Sequence, residues 1–209
     1  MNKYKYPRTY HFSFSEGATS DDKILENDNM FEGMMVVISE KMDGENTSIY
    51  PNCTFHARSL DSFHRDYHSY LLAKIPTFAY KIPENHRICG EYLYAKHSIY
   101  YDSLPDYFMA FGIWRENTCL SWKDTIKILE DIGLITVPIL YEGPFDMEIV
   151  KKLAKEVVDR GGEGIVVRNA NSFEMKDFSK NVAKFVRKGH VQTDTHWSYS
   201  QITPNKLKK

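Results

Sequence analysis

Short strand-like runs recur along this chain without alternating regularly with helical segments, and that pattern limits the folds available to it. The runs are MMVVISE (34–40), ENTSIY (45–50), CTFHARS (53–59), HRICGEYLY (86–94), YFMAFGIW (107–114), LITVPIL (134–140), EGIVVR (163–168) and NVAKFVR (181–187). Each is short, and most are rich in the β-branched and aromatic residues that suit a pleated surface. Helical punctuation is clear at two places. Ser121 and Asp124 resemble a capping box ahead of Ile126, Leu129 and Ile132, with Gly133 as the stop. Asp146 can cap a second helix with Ile149, Val150, Leu153 and Val157 on one face and Gly161 beyond its end. A third helix is expected over 62–75. Parallel sheets need a crossover, usually a helix, between successive strands. The pattern therefore predicts an α+β fold rich in antiparallel sheet. Asp43-Gly44, between the first two runs, predicts a tight hairpin, with 53–59 as a third strand of the same meander.

A chain of 209 residues suffices for one sizeable domain around one core. With 42% hydrophobic and 14% aromatic residues, disorder is excluded as its general state. No repeat or long Pro/Gly/Ser linker divides it, so one domain is expected over 1–190, followed by a short basic tail over 191–209. MNKYKYPRTYHF lacks the apolar core of a signal peptide, and no run reaches the roughly 20 apolar residues of a membrane span. A cytoplasmic protein is expected, acting in a host cytoplasm if virus-encoded, with no membrane partner. Cys53, Cys89 and Cys119 lack metal-type spacing and read as reduced thiols. The net charge of −1 is unevenly spread: from Lys180 onward the balance is +6, against −7 for the rest. Such a basic segment could meet phosphates or could simply be a solvated tail.

Lys41 stands at the end of the first apolar run, directly before the Asp-Gly signal and Asn46. A lysine there is ordinarily a surface residue. Its neighbours point to another use. Lys41-Met42-Asp43-Gly44-Glu45-Asn46 matches the K-x-D-G-x-N signature of ATP-dependent RNA ligases, and four further segments match in the same order. From about residue 34 to 188 the chain resembles the nucleotidyltransferase domain of that family.

The resemblance implies an antiparallel-rich nucleotidyltransferase fold and a set of roles. Lys41 is the implied nucleophile. Arg58 of ARS takes the place of the nucleotide- and RNA-contacting arginine, and Glu91 of CGEYLYAKHSIYY that of the ribose-contacting glutamate. Phe111 of FMAFGIW would stack on adenine. Glu163 of GGEGIVVR is implied as the metal-associated carboxylate, and Lys184 of VAKFVRK would contact the AMP phosphate. Glu40 and Asn46 beside the nucleophile join the nucleotide-binding set. The implied cofactors are ATP and Mg²⁺ or Mn²⁺. The implied partner is RNA with 5′-phosphate and 3′-OH ends, with an end-processing kinase or phosphatase as a further candidate.

This chemistry accounts for the residue types. An amine attacks the α-phosphorus only when neutral, whereas a lysine of ordinary pKa, ~10.4, is protonated at neutral pH. Partial burial and nearby cations such as Lys184 or Mg²⁺ would favour the neutral form. Cations also offset the charge of the triphosphate. Phe111 offers a flat face for base stacking and Glu91 an acceptor for ribose hydroxyls.

Within the wider lysyl-nucleotide superfamily, DNA ligases and capping enzymes usually carry arginine where this chain has Asn46. They also append an OB-fold domain, which the expected layout lacks. A DNA-nick ligase, a capping-type enzyme and an RNA-end-binding accessory module stay open as alternatives. The last motif departs from its usual K-x-K form: Val186 replaces the second lysine. If 181–188 is one strand, Lys184, Val186 and Lys188 share a face, and Lys188 could substitute by reaching back. His64 and His68, four apart, could share a helical face, and HVQTDTHW with His190, His196 and Trp197 could stack on single-stranded RNA.

Overall fold

The computed structural model describes residues 2–61, 64–189 and 202–209. In chain order its elements are β1 (Tyr10–His11), β2 (Met35–Lys41), β3 (Glu45–Ile49), β4 (Phe55–Ala57), α1 (Ser69–Lys74), β5 (His86–Tyr92), β6 (Phe108–Arg115), β7 (Thr118–Cys119), α2 (Trp122–Ile132), β8 (Ile139–Pro144), α3 (Met147–Asp159), β9 (Gly164–Asn169), β10 (Phe173–Glu174) and β11 (Val182–Val186). They fall into two compact units. The first holds Asp43–Val137, the N-terminal residues to Tyr6 and the segment 202–209; the second holds Pro7–Met42 and the stretch from 138 to 189.

The second unit is a sheet in the order β1-β11-β9-β2-β8, antiparallel except for the β1–β11 pair. Helix α3 starts where the Asp146 carboxylate accepts the N–H groups of Glu148 and Ile149. Its Val150, Ala154 and Val157 join Ile38, Ile165, Val167 and Ala183 in a core closed by Phe12 and Phe31. Burying each of the valines and isoleucines among them contributes roughly 1.5–3 kcal/mol.

In the first unit the strands run β7-β6-β5-β3-β4, all antiparallel. Helix α2 begins at Ser121, whose hydroxyl accepts the Asp124 N–H, and ends at Gly133 with φ 84°. Its Leu129 and Ile132 join Ile49, Ile88, Phe108 and Ile113 in a second core. Among the described residues the apolar side chains thus gather in two clusters, one per unit, where chain length suggested one.

The expected hairpin at Asp43-Gly44 does not form. Both edges of β2 are taken by β8 and β9, so β3 pairs instead with β4 and β5. The pairing expected between 45–50 and 53–59 is present, but without β2. Gly44 is small for a different reason from the one expected. A β-carbon there would stand 2.5 Å from the Tyr92 carbonyl oxygen and 2.8 Å from Leu93 Cδ2. Of the strand expected over 134–140, Thr136 makes only an isolated parallel bridge with Ala110, and Ile139 and Leu140 open β8. The described part of 62–75 is a 3₁₀ turn (Asp66–His68) leading into the short helix α1. The segment 202–209 is docked rather than dangling: Asn205 Oδ1 accepts the Tyr101 N–H, Asn205 Nδ2 donates to the Leu93 carbonyl, and Tyr107 donates to the Asn205 carbonyl.

His56 on β4 gives the first unit a pH-dependent contribution to stability. Its Nδ1 donates to the Ala57 carbonyl (2.5 Å) and its Nε2 accepts from the Tyr50 hydroxyl (2.9 Å), the pattern of a neutral ring. Burial pushes the imidazole below its ordinary 6.5, and the charges of Lys3 and Arg87 act in the same direction, outweighing the Ala57 bond. The unfolded chain therefore binds the extra proton first. The contribution is whole above pH 6.5 and is lost as the pH falls through the lower, folded value. Urea midpoints at pH 8 and pH 5 should differ more for the wild type than for His56→Asn; equal differences would place the acid sensitivity elsewhere.

Candidate active site

Lys41 ends β2, and its partner comes from the connection between α3 and β9. The Lys41 ammonium lies 2.7 Å from Glu163 Oε2. Only 4% of the Glu163 side chain is exposed, against 24% for Lys41. Register sets this meeting: Lys41 pairs with Gly164, so Glu163 lies just before the paired residue. The Arg187 N–H fixes Glu163 further by donating to its carbonyl (2.9 Å). Sequence reasoning expected cations beside Lys41. Its close partner here is a carboxylate, which offers an acceptor for its proton.

Lys184 is half-buried on β11, in register with Val166 of β9 and His11 of β1. Asp22 lies within its field: burial would raise that carboxyl, but the Thr19 N–H and hydroxyl and the charges of His11 and Lys184 hold it below its ordinary range. Val186 is 1% exposed, and a β-carbon on Gly17 would reach within 2.9 Å of its Cγ1. Ser15 and Gly17 wall in Val186, which suits an apolar residue at the position where the K-x-K form led to the expectation of a second lysine. Lys188 is exposed beyond the end of β11, so the alternation expected to align it with Lys184 stops at Val186. The Glu40 carboxylate is taken by Arg160, at 2.6 Å.

In the first unit, Asn46 and Glu91 are opposite partners on β3 and β5. Glu91 Oε1 accepts the Gly44 N–H (3.2 Å), and Asn46 Oδ1 is buried with no hydrogen-bond partner among the described residues. Asp43 anchors the motif: its Oδ2 accepts the N–H groups of Ser98 and Ile99 (both 2.7 Å), and its own N–H donates to the Tyr101 hydroxyl. Phe111 occupies a bulge on β6, since Cys89 pairs with Gly112 and Gly90 with Ala110. Bulges re-aim side chains, and Phe111 is partly exposed among buried neighbours, with Tyr6 edge-on at 5.3 Å. Arg58 is exposed just past β4, its Nε 3.5 Å from the Tyr6 carbonyl.

His68 is buried, its Nε2 2.7 Å from Glu45 Oε1, and its Nδ1 accepts the Arg65 N–H. His64 stacks on Phe55. Among the described residues, no three His, Cys, Asp or Glu side chains converge as a metal cage. His190, His196 and Trp197 lie outside the described residues.

The profile of the RNA ligase family matches residues 34–186. The chain belongs to the RNA ligase family. The fold agrees with solved ligase structures. An archaeal ATP-dependent RNA ligase superposes with a TM-score of 0.61 at 17% identity, over 87% of this chain and 48% of that one. A putative ATP-dependent DNA ligase from Aquifex aeolicus gives 0.61 at 18% identity, over 90% and 51%. A mutant Naegleria gruberi RNA ligase with ATP and Mn gives 0.56 at 14% identity, over 78% and 52%. This chain thus spans about half the length of these structures. Comparison with curated protein sequences found no match.

The matched segment includes every family position named above except Lys188. Sequence reasoning did not single out Arg160, Tyr101 or Asn205. Arg160 carried no signal, since its partner Glu40 is 120 residues away. Tyr101 ends the CGEYLYAKHSIYY segment, in which the resemblance implies a role for Glu91 alone, and Asn205 stands next to a run rich in lysine.

Proposed function

We propose that this protein is an ATP-dependent RNA ligase joining 5′-phosphate and 3′-OH ends. The observation that carries the reading is the Lys41–Glu163 pair, formed by two motifs 122 residues apart. Glu163 Oε2 would take the proton that must leave Lys41 Nζ before attack. Attack forms the Nζ–P bond at the α-phosphorus of ATP, breaks the bond to the β-phosphate oxygen and releases pyrophosphate. The AMP then passes to an RNA 5′-phosphate, giving A(5′)pp(5′)RNA, and an RNA 3′-OH displaces the AMP.

Lys184 would bind the AMP phosphate, with Lys188 and Arg58 as further phosphate contacts. Phe111 would stack on the adenine and Glu91 would accept from the ribose. The unpartnered Asn46 Oδ1 fits a donor of the nucleotide or the RNA end. With its carboxylate held by Arg160, Glu40 would contribute through its backbone. A low-exposure carboxylate fits a divalent ion: Glu163 would hold Mg²⁺ or Mn²⁺, which supplies charge neutralisation at the phosphates and needs few protein ligands.

Incubation with α-labelled ATP and Mg²⁺ or Mn²⁺ should label the protein covalently, with acid-labile attachment, while α-labelled GTP should not. A 5′-phosphorylated RNA should then be joined to an RNA 3′-OH in preference to a DNA 3′-OH. The buried Val186 favours a second reading, an RNA-end-binding module without sealing activity. RNA binding with neither adduct nor joined product would decide for it.

A further inference from the structure

Two ion pairs lie side by side at the end of β2. Lys41 meets Glu163, and Glu40 meets Arg160. The acceptor Glu163 and the donor Arg160 both belong to the four residues between α3 and β9, Arg160, Gly161, Gly162 and Glu163. Consecutive strand residues project to opposite faces, so Glu40 and Lys41 grip this connection from the two sides of the sheet. The connection is short and closely fitted. Gly161 turns it at φ 89°, and the Gly162 N–H returns to the Val157 carbonyl (2.9 Å). A β-carbon on Gly162 would stand 3.1 Å from Glu40 Oε1.

We propose that Arg160 is a positioning residue for the Lys41 nucleophile: by bonding Glu40 it holds the connection down and keeps the Glu163 carboxylate on Lys41 Nζ. The Arg160 side chain is about half exposed, so its pair with Glu40 adds little to global stability. Its consequence is local. Releasing it frees the start of a four-residue connection whose other end carries Glu163. A misplacement near 1 Å can slow a positioned reaction by up to about a hundredfold. The effect on catalysis rests on the ligase reading above, whereas the effect on the Lys41–Glu163 contact does not.

The test therefore has one readout that needs no ligase activity. A trace amine-acylating reagent is applied at neutral pH to wild type, Arg160→Ala and Arg160→Lys, and modification of the Lys41 peptide is measured by mass spectrometry against Lys151 as internal standard. Arg160→Ala should raise the relative reactivity of Lys41 by about threefold or more, because the Glu163 carboxylate then covers its amine less closely. Arg160→Lys, which keeps a charge in reach of Glu40, should restore most of the wild-type value. The melting temperature should shift by at most about 4 °C in either variant. In parallel, Arg160→Ala should lower kcat for ATP–pyrophosphate exchange about tenfold with less change in KM, and Arg160→Lys should recover it in part. Unchanged Lys41 reactivity in Arg160→Ala overturns the proposal. So does a change that Arg160→Lys fails to reverse, or one that merely follows a large fall in melting temperature. Absence of any adduct in the wild type overturns the ligase reading instead, while the reactivity measurement still decides the role of Arg160.

Discussion

Lys41→Ala should reduce labelling by α-labelled ATP to background, a loss of at least about a thousandfold. The substitution removes the only atom proposed to bond the α-phosphorus, so no residual rate is expected from positioning alone. It also deprives the buried Glu163 carboxylate of its 2.7 Å partner, and lost labelling in this variant could therefore reflect a disturbed connection. Lys41→Arg separates the two causes. A guanidinium keeps the positive charge and can still bond Glu163, but it does not deprotonate at accessible pH and cannot serve as the nucleophile. Both variants should lose the adduct, with Lys41→Arg keeping a melting temperature closer to wild type. Labelling that persists in both removes Lys41 from the reaction.

The motifs were legible because each packs its chemical requirement into a few adjacent residues. K-x-D-G-x-N shows a nucleophile, an anchor and a glycine within six positions. Helix ends were legible for the same reason: Ser121 and Gly133 bound α2, and Asp146 and Gly161 bracket α3, through local backbone bonding. Strand partners were not. Alternation and an Asp-Gly dipeptide look alike in a hairpin and in a link between two sheets. What decides is that β8 and β9, about 100 residues or more further on, occupy both edges of β2. The two-residue strands β1 and β7 are too short to display a period.

Within the candidate site, residue identities were legible while their environments were not. Nothing near Lys41 in the sequence announced a carboxylate partner 122 residues away. Phe111 was expected as a stacking face, but the bulge that exposes it arises only when β5 and β6 are in register. Val186 was expected to share one face with Lys184 and Lys188. The strand ends first, and the wall at Ser15 and Gly17 makes that face a buried one. Long-range register supplied each of these features, and no local window contains it.

Gly164→Ala is expected to be among the most destabilising single substitutions in the second unit. Gly164 stands in β9 between Lys41 of β2 and Val186 of β11. An added β-carbon would fall inside the van der Waals shell of the Phe185 carbonyl oxygen and within 3.0 Å of the Phe185 carbonyl carbon and Val186 Cα. These are backbone atoms of a paired strand, so no side chain can rotate to make room. Relief requires β11 to move away from β9, which strains the ladder that carries Lys184. A cost of about 3 kcal/mol or more is expected, at the upper end for overpacking, visible as a lower urea midpoint. Gly133→Ala supplies the comparison. There φ is 84° but nothing lies within 4 Å of the added carbon, so only the left-handed backbone penalises it, by roughly 1–2 kcal/mol. If Gly164→Ala proves no more harmful than Gly133→Ala, the close approach of β11 to β9 at this point is wrong. If it is clearly worse, the glycine after Glu163 sets how near the Lys184 strand lies to the Lys41 strand's neighbour.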